Sequence, residues 1–252
     1  MKKMTLNKLL QSQGFGTRRA CEQMIVNGLV RVSGEVVTGY ATPLDPESLE
    51  IEVDGEAWVC REHVYVLLNK PAGYECSRKP SHHPGVLSLL PPLFSARNVQ
   101  PVGRLDHDTT GMLLRSDDGT FIQRQSSPKH HVPKTYEATT HDPVTPELIA
   151  MLVSGVKLSD EPLPLAALSC RQLDSHRVEI VLEQGKYHQV KRMLAATGHH
   201  CDALVRTAIG GLRLEAMDIQ EGKWCFLSED HLSLLTPRTA AIAQQPEIQI
   251  ST

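Results

Sequence analysis

The spacing of apolar and polar residues separates a short first part of the chain from a longer part rich in strands. Apolar residues at helical spacing between residues 6 and 10 predict one helix, and a second is predicted from the N-cap residue Thr17 to Gly28. The pattern over residues 29–37 is typical of two short strands joined by a tight turn. The first part is therefore predicted to be a small α+β unit.

The longer part opens with a continuous apolar run at residues 64–68, which is typical of a buried strand. Further strands are predicted at residues 111–115, 135–140, 165–173, 178–182 and 203–207, and helices at residues 119–125, 146–153, 188–196 and 228–235. Many strands without regular alternation with helices favour an α+β fold with a mixed, mostly antiparallel sheet. The predicted domains are residues 4–60 and 64–236, followed by a disordered tail at 237–252.

Composition excludes several classes of protein. The 252 residues are 40% hydrophobic but contain no long apolar run, so neither a transmembrane helix nor a signal peptide is expected. The six cysteines form no Cys-x-x-Cys pair, which favours reduced thiols in the cytoplasm over a disulfide scaffold or a zinc site. The adjacent histidine pairs at 130–131 and 199–200 are interpreted as structural or RNA-facing, and no metal is expected.

Charge is distributed unevenly, although the net charge of −3 does not by itself indicate a nucleic-acid partner. Residues 1–35 contain six lysines and arginines against two glutamates, and residues 41–62 are acidic. A small basic module of this kind is a plausible footprint for a polyanion, and a solvated helix face is the alternative.

Residues 103–111 read Gly-Arg-Leu-Asp-His-Asp-Thr-Thr-Gly and precede an apolar strand. Loops at the edge of a sheet often present functional side chains. Arg104 lies two residues before Asp106, and a nearby cation can hold a carboxylate ionised by lowering its pKa. An ordinary Asp-rich turn with a surface arginine is the alternative for these nine residues alone.

A second segment, residues 185–193, reads Gly-Lys-Tyr-His-Gln-Val-Lys-Arg-Met and begins a predicted helix. Lys191 and Arg192 fall in the first turns of that helix, where cations oppose the helix dipole. This conflict suggests that they have a partner, either Asp106 or RNA phosphate.

Together with Lys-Thr-Tyr at 134–136, these segments resemble, in order, the motifs of the RsuA-type ribosomal RNA pseudouridine synthases. The resemblance extends from about residue 4 to residue 235, and its local details favour the branch that modifies small-subunit ribosomal RNA. Those details are the segments at 68–77, 83–84, 108–111, 127–131 and 209–211. The first part resembles the S4 type of RNA-binding domain.

The resemblance implies an isomerase that converts a specific uridine of 16S ribosomal RNA to pseudouridine without a cofactor. It implies Asp106 as the nucleophile, Arg104 as the base-flipping arginine, and Lys191 as the cation paired with Asp106. The ring of Tyr136 is a candidate for stacking on uracil and its hydroxyl for acid–base chemistry, and packing in the core is the alternative for a buried tyrosine. The expected RNA-binding residues are Lys8, Arg18, Arg19 and Arg31 in the first part and His188, Gln189 and Arg192 in the second. The expected enzyme is a cytoplasmic monomer that acts on RNA in a partly assembled small subunit, away from membranes.

Three alternatives remain open at the level of sequence. The same reaction on a large-subunit uridine would keep the fold and change only the target. A non-catalytic assembly factor would not need Asp106, Arg104, Tyr136 and Lys191 intact. A glycoside hydrolase using Asp106 and Asp108 is disfavoured, because carboxylates two residues apart on a loop rarely lie across a sugar.

Overall fold

The computed structural model describes residues 2–41, 43–46, 48–77 and 79–235. The tail predicted at 237–252 lies outside the described residues. The chain divides into two compact units, each described separately below. The first consists of Met1–Tyr65, Leu87–Gln100 and Ser116–Asp118, and the second of Val66–Val86, Pro101–Arg115 and Gly119–Thr252. In the described part, no helix combines the length and apolar character needed to cross a membrane.

The first unit contains the predicted helix pair and hairpin. Its elements are β1 (Met4–Thr5), α1 (Leu6–Ser12), α2 (Arg18–Val26), β2 (Val30–Val32), β3 (Glu35–Val36), β4 (Pro43–Leu44), β5 (Glu50–Val53), β6 (Glu56–Val59) and α3 (Pro92–Ala96). The Thr17 hydroxyl accepts a hydrogen bond from the amide of Ala20 at 3.2 Å, which confirms Thr17 as the N-cap of α2. The antiparallel sheet has the order β3-β2-β5-β6, and its turn at Ser33 and Gly34 has φ values of 52° and 84°, as a two-residue hairpin requires.

Residues 87–100 belong to this first unit although they follow it by some twenty residues in the chain. The Arg97 guanidinium is buried, forms an ion pair with Asp117 at 2.8 Å and donates to the side-chain oxygen of Gln13 at 3.0 Å. Phe94 packs edge-on against Trp58, with ring centroids 6.3 Å apart. The hydrophobic pattern along the chain does not reveal this long-range packing, and the domain bounds proposed from the sequence remain a prediction.

The second unit is built on a mixed sheet, which confirms the expected fold class. Its strands are β7 (Tyr65–Lys70), β8 (Gln100–Pro101), β9 (Thr110–Ser116), β10 (Lys134–Thr140), β11 (Ser169–Gln172), β12 (Arg177–Leu182), β13 (Cys201–Ile209), β14 (Leu212–Arg213) and β15 (Trp224–Phe226). The main path runs β11-β12-β10-β13-β9-β7-β15. Strands β9 and β13 are parallel, whereas β10 is antiparallel to both β12 and β13.

Helices and short 3₁₀ turns complete the second unit. The helices are α4 (Gly119–Ser126), α5 (Pro146–Ser154), α6 (Gln189–Ala196) and α7 (Glu229–Ser233), and the 3₁₀ turns lie at Pro128–His130 and Leu214–Met217. A further 3₁₀ turn, Val86–Leu89, belongs to the first unit except for Val86. The helix predicted at 228–235 and the strand predicted at 165–173 are both shorter than the pattern indicates. Helix α6 begins at Gln189 because His188 is its N-cap in a left-handed conformation, with φ 47°.

The register of β10 brings Tyr136 opposite Arg206 of β13. A register irregularity falls between Thr135 and Tyr136 on this side of β10. Bulges of this kind redirect side chains and are frequent next to active sites. The irregularity therefore affects the direction in which the Tyr136 side chain leaves the sheet.

Gly111, which follows the Thr-Thr pair at the start of β9, is expected to be irreplaceable. Its φ is +95°, and a Cβ atom there would lie 2.4 Å from the Arg206 carbonyl oxygen, which no real contact allows. We expect Gly111→Ala to lower the free energy of unfolding by about 3 kcal/mol or more, through backbone strain and the clash. Urea denaturation measures this loss. Gly119→Ala is the control, because nothing lies within 4 Å of its added methyl group, and equal effects of the two substitutions would contradict the argument.

Candidate active site

An open cleft of about 950 Å³ in the second unit is lined by three of the residues singled out by the motifs, Arg104, Asp106 and His188. We call it the main cleft. Its walls come from Glu75, Cys76, Ser77, Ser81, His82, His83, Gly103, Arg104, Leu105, Asp106, His107, Gly185, Lys186, Tyr187 and His188. The two motif segments, distant in sequence, therefore face one space.

A second, smaller cavity of about 100 Å³ adjoins the main cleft and shares Gly103, Arg104 and Gly185 with it. We call it the small cavity. Its other walls are Val102, Leu114, Gln125, Ser126, Lys134, Tyr136, Glu183, Arg206 and Ile209. Tyr136 is 9% exposed, so its ring belongs to the wall of a cavity rather than to a free surface.

Asp106 lies in the main cleft with its side chain 24% exposed. Its Oδ1 is 3.1 Å from Nε2 of His188, and its Oδ2 is 3.9 Å from Nζ of Lys191. The backbone fixes this position, because the Asp106 carbonyl oxygen accepts a hydrogen bond from the amide of Thr109 at 3.2 Å, just before β9. Both carboxylate oxygens therefore face a nitrogen from the segment where α6 begins.

Lys191 has a closer partner than Asp106. Its Nζ donates to Oδ1 of Asp108 at 2.6 Å, so the lysine lies between two carboxylates of one loop. No ion pair joins Arg104 to Asp106 among the described residues; the basic groups within 4 Å of Asp106 are His188 and Lys191. Arg104 is exposed instead and lines both the main cleft and the small cavity.

Asp108 is expected to titrate below the ordinary range. Partial burial favours the neutral acid, but the hydrogen bond and the charge of Lys191 outweigh it and lower the pKa of Asp108. The carboxylate therefore stays ionised to a lower pH than in the unfolded chain, and the stability it adds is lost as pH falls through the lowered pKa. We expect Lys191→Met to raise the pKa of Asp108, as measured by carboxyl NMR titration.

The control for this titration is Lys186→Met, since Lys186 pairs with Glu161 at 3.2 Å rather than with Asp108. A pKa of Asp108 that is unchanged in Lys191→Met, or equally changed in both variants, would contradict the assignment of Lys191 as its principal partner.

The other expected RNA-binding residues of this unit are less free than their sequence positions indicate. Gln189 is only 5% exposed, and its side-chain oxygen accepts from the amide of Lys186 at 3.0 Å, so it braces the loop instead of facing solvent. Arg192 forms an ion pair with Asp160 and donates to the carbonyl oxygen of Tyr187 at 2.9 Å. His188 faces Asp106 from the wall of the main cleft.

The basic residues expected to bind RNA in the first unit are Lys8, Arg18, Arg19 and Arg31, and all four are exposed. Arg18 pairs with Glu22 at 3.2 Å and Arg31 with Glu52 at 3.4 Å. Exposed pairs of this kind add little stability, so phosphate groups can compete for these arginines.

Several residues of the site are not among the predicted site residues, although His83, His107, Lys134 and Tyr187 lie within the motif segments. Tyr187 is 71% exposed in the main cleft, and its ring stacks on His188 with centroids 3.8 Å apart. His83 and His107 form a second stacked pair at 4.5 Å. Arg206, Lys134 and Gln125 line the small cavity from two strands and a helix. Only the fold brings these residues together, although Tyr187 falls inside a motif and an aromatic residue there is a usable hint.

Burial lowers the pKa of Lys134 to about 8, with a smaller contribution from the charge of Arg206. Among the described residues, no group of three or more histidine, cysteine or acidic side chains is arranged to hold a metal ion. The arrangement thus offers a carboxylate between basic groups, next to a cation-lined cavity with a tyrosine ring. Such a site suits attack by the carboxylate on an electrophilic carbon of a ligand whose planar ring carries hydrogen-bond acceptors.

Comparison with known families identifies the class of protein. The model of the RNA pseudouridylate synthase family matches residues 64–196, and the model of the S4 domain matches residues 4–49. The chain therefore belongs to the RNA pseudouridylate synthases, which are isomerases, and it carries an N-terminal S4 domain.

Individual relatives cover almost the whole chain. It is 36% identical to ribosomal small subunit pseudouridine synthase A of Escherichia coli K12, over 91% of this chain and 99% of that protein. It is 34% identical to the uncharacterized RNA pseudouridine synthase YtzG of Bacillus subtilis, over 92% of this chain and 98% of that protein. A crystal structure of a pseudouridylate synthase matches with a TM-score of 0.64 and 33% identity, over 92% of this chain and all of that one.

Proposed function

We propose that the protein converts one uridine of small-subunit ribosomal RNA to pseudouridine, with Asp106 as the nucleophile and the target nucleotide turned out of the RNA. The observation that carries this proposal is the position of Asp106, which faces His188 and Lys191 in the main cleft beside the small cavity that contains Tyr136. The choice of subunit is supported by the similarity to the small-subunit enzyme of Escherichia coli.

The chemistry divides naturally among these residues. The bond between N1 of uracil and C1′ of ribose breaks, a bond between C5 and C1′ forms, C5 loses a proton and N1 gains one. The reaction is redox-neutral and consumes no water, so the proposal includes no cofactor. Asp106 supplies the nucleophile, and Nζ of Lys191 lies 3.9 Å from its carboxylate. The small cavity retains the detached base against the ring of Tyr136.

Turning the nucleotide out costs a few kcal/mol of lost stacking, which contacts with the protein must offset. Arg104 suits this role because it is exposed and borders both the main cleft and the small cavity. Its side chain can fill the vacated stack or contact a phosphate. The role of Tyr136 is stacking on uracil, with its hydroxyl as a candidate acid or base.

The S4 domain supplies affinity in this proposal. Contacts to phosphate position a protein on RNA without reading its sequence. Lys8, Arg18, Arg19 and Arg31 are exposed on the first unit and serve as these contacts. The proposal also includes domains at 4–60 and 64–236, a monomeric enzyme, and cytoplasmic small-subunit particles as its substrate.

The proposal is tested with purified protein and three substrates, namely small-subunit assembly particles, protein-free 16S RNA and protein-free 23S RNA. We expect one new pseudouridine in the small-subunit RNA, formed fastest in the particles. A new pseudouridine only in 23S RNA would overturn the choice of subunit. Tight binding to the particles without any pseudouridine would favour an assembly factor.

A further inference from the structure

Two buried polar atoms at the small cavity have no hydrogen-bond partner within the described part of the chain. They are Nη2 of Arg206 and Oε1 of Gln125, on side chains that are 3% and 5% exposed. Both residues line the small cavity. An unpaired buried polar group is costly, and in native proteins it calls for an explanation such as a ligand.

Neighbouring hydrogen bonds fix what each atom can do. Nε of Arg206 donates to the carbonyl oxygen of Met112 at 2.7 Å, which anchors the guanidinium and leaves Nη2 as a donor. Nε2 of Gln125 donates to the carbonyl oxygen of Leu235 at 3.0 Å, so Oε1 is the remaining acceptor. These two side chains, which line the cavity, thus keep one donor and one acceptor without a partner within the described part of the chain.

The charge around these atoms favours an electron-rich ligand. Arg104, Lys134 and Arg206 line the small cavity, against a single carboxylate from Glu183. The ring of Tyr136 provides a flat apolar surface in the same cavity. A planar ring with carbonyl oxygens matches both properties.

Building on the proposed function, we propose that Gln125 and Arg206 recognise the imide edge of the target uracil. Oε1 of Gln125 accepts the hydrogen bond of the uracil N3–H, and Nη2 of Arg206 donates to a carbonyl oxygen beside it. Both protein atoms are shielded from solvent. Arg104, which borders both the main cleft and the small cavity, is the exposed side chain that the entering base displaces.

This edge has a property that the reaction needs. Turning the detached uracil about the axis through N3 and C6 exchanges N1 with C5 and O2 with O4, and leaves N3–H in place. One acceptor for N3–H and one donor to the flanking oxygen are therefore satisfied both before and after the turn. The same two residues hold the base while a different ring atom is presented to C1′.

The same contacts exclude cytosine. Cytosine has a lone pair at N3 and an amino group at C4. Its N3 would therefore place an acceptor against the acceptor Oε1 of Gln125, and its C4 would carry no oxygen to which Arg206 could donate. Sites with buried polar groups reject ligands that leave those groups unpaired far more strongly than apolar pockets reject small changes of shape. Gln125 and Arg206 are in this sense specificity-determining residues.

Single-turnover isomerisation with substituted RNA tests the proposal. The substrates carry either uridine or 3-methyluridine at the modified position, because the methyl group removes N3–H. We expect wild-type protein to act on 3-methyluridine at least about 100-fold more slowly than on uridine. Gln125→Leu should slow the isomerisation of uridine by about tenfold. It should also reduce the ratio of the uridine rate to the 3-methyluridine rate to below about tenfold, because the leucine side chain can pack against the methyl group. Gln123→Leu, an exposed position on the same helix, is the matched control.

Full discrimination retained by folded Gln125→Leu would overturn the assignment while the proposed function stands. If wild-type protein isomerises no uridine in ribosomal RNA, the proposed function itself falls, and this inference with it. Should Gln125→Leu fail to fold, the rates of wild-type protein on 2-thiouridine and 4-thiouridine test the assignment of Arg206 as the donor. Both substitutions are informative because O2 and O4 exchange places when the base turns. Slowing by both supports a shared donor, whereas slowing by neither overturns it.

Discussion

Replacing Asp106 with asparagine is expected to abolish isomerisation, by about 10⁴-fold or more in the single-turnover rate, because the loss of a nucleophile falls on the chemical step. Binding of RNA should change little, since the asparagine side chain has nearly the same shape as that of aspartate. Rates come from quenched-flow measurements with excess protein, and affinity from filter binding at fixed salt.

Asp108→Asn provides the graded comparison for this experiment. Asp108 shares Lys191 with Asp106 but contacts it at 2.6 Å rather than 3.9 Å. Its replacement disturbs an ion pair and leaves the nucleophile, so we expect a rate loss within about 30-fold. Equal losses in the two variants, or a collapse of RNA affinity in Asp106→Asn, would mean that Asp106 has a structural role.

Removing the positive charge of the S4 domain is expected to weaken RNA binding and to flatten its salt dependence. Each neutralised phosphate contributes a slope of about 0.7–0.9 to the dependence of affinity on salt. If Lys8, Arg18, Arg19 and Arg31 each contact one phosphate, their joint replacement by glutamine should reduce the slope by about 3. The affinity loss should be largest at low salt, and the rate from the bound complex should be unchanged.

This charge variant is a cleaner test than deletion of residues 1–54. Deletion would remove Gln13, which accepts a hydrogen bond from the buried guanidinium of Arg97 at 3.0 Å. It would also expose the surface of residues 87–100 that packs against the deleted segment. A loss of RNA binding could then not be assigned to the loss of charge rather than to a loss of stability. An unchanged salt slope in the charge variant would show that these four residues do not contact phosphate.

Local chemistry explains how much of the fold the sequence predicts. The N-cap at Thr17 and the turn at Ser33 and Gly34 depend on neighbours within a few residues, and the structure confirms both. Strand periodicity likewise places β10, β12 and β13 within a few residues of their observed ends. The inclusion of residues 87–100 in the first unit depends on Arg97, whose partners lie up to 84 positions away.

In the site, too, features that depend on neighbouring residues are predictable from the sequence, whereas features that depend on long-range packing are not. The motifs indicate Asp106 and Lys191. The resemblance pairs these two residues, and the position of Lys191 near the start of a helix, where a cation opposes the helix dipole, suggests that it has a partner. The motifs do not indicate that Asp108 makes the shorter contact with Lys191 or that the Gln189 side chain is buried. Both features depend on how residues 188–191 pack against their neighbours in the folded chain. Arg206 and Gln125 look like ordinary polar positions of a strand and a helix. Only the burial of both beside one cavity makes them functional candidates.

The central claim is that this chain makes pseudouridine in ribosomal RNA through Asp106. Its most direct test maps pseudouridine by chemical labelling and primer extension in ribosomal RNA from cells with the chain, without it, and with Asp106→Asn in its place. We predict that one small-subunit signal disappears without the chain, returns with the wild-type chain and stays absent with Asp106→Asn. A map that is identical in all three strains, or a signal that Asp106→Asn restores in full, would contradict the claim.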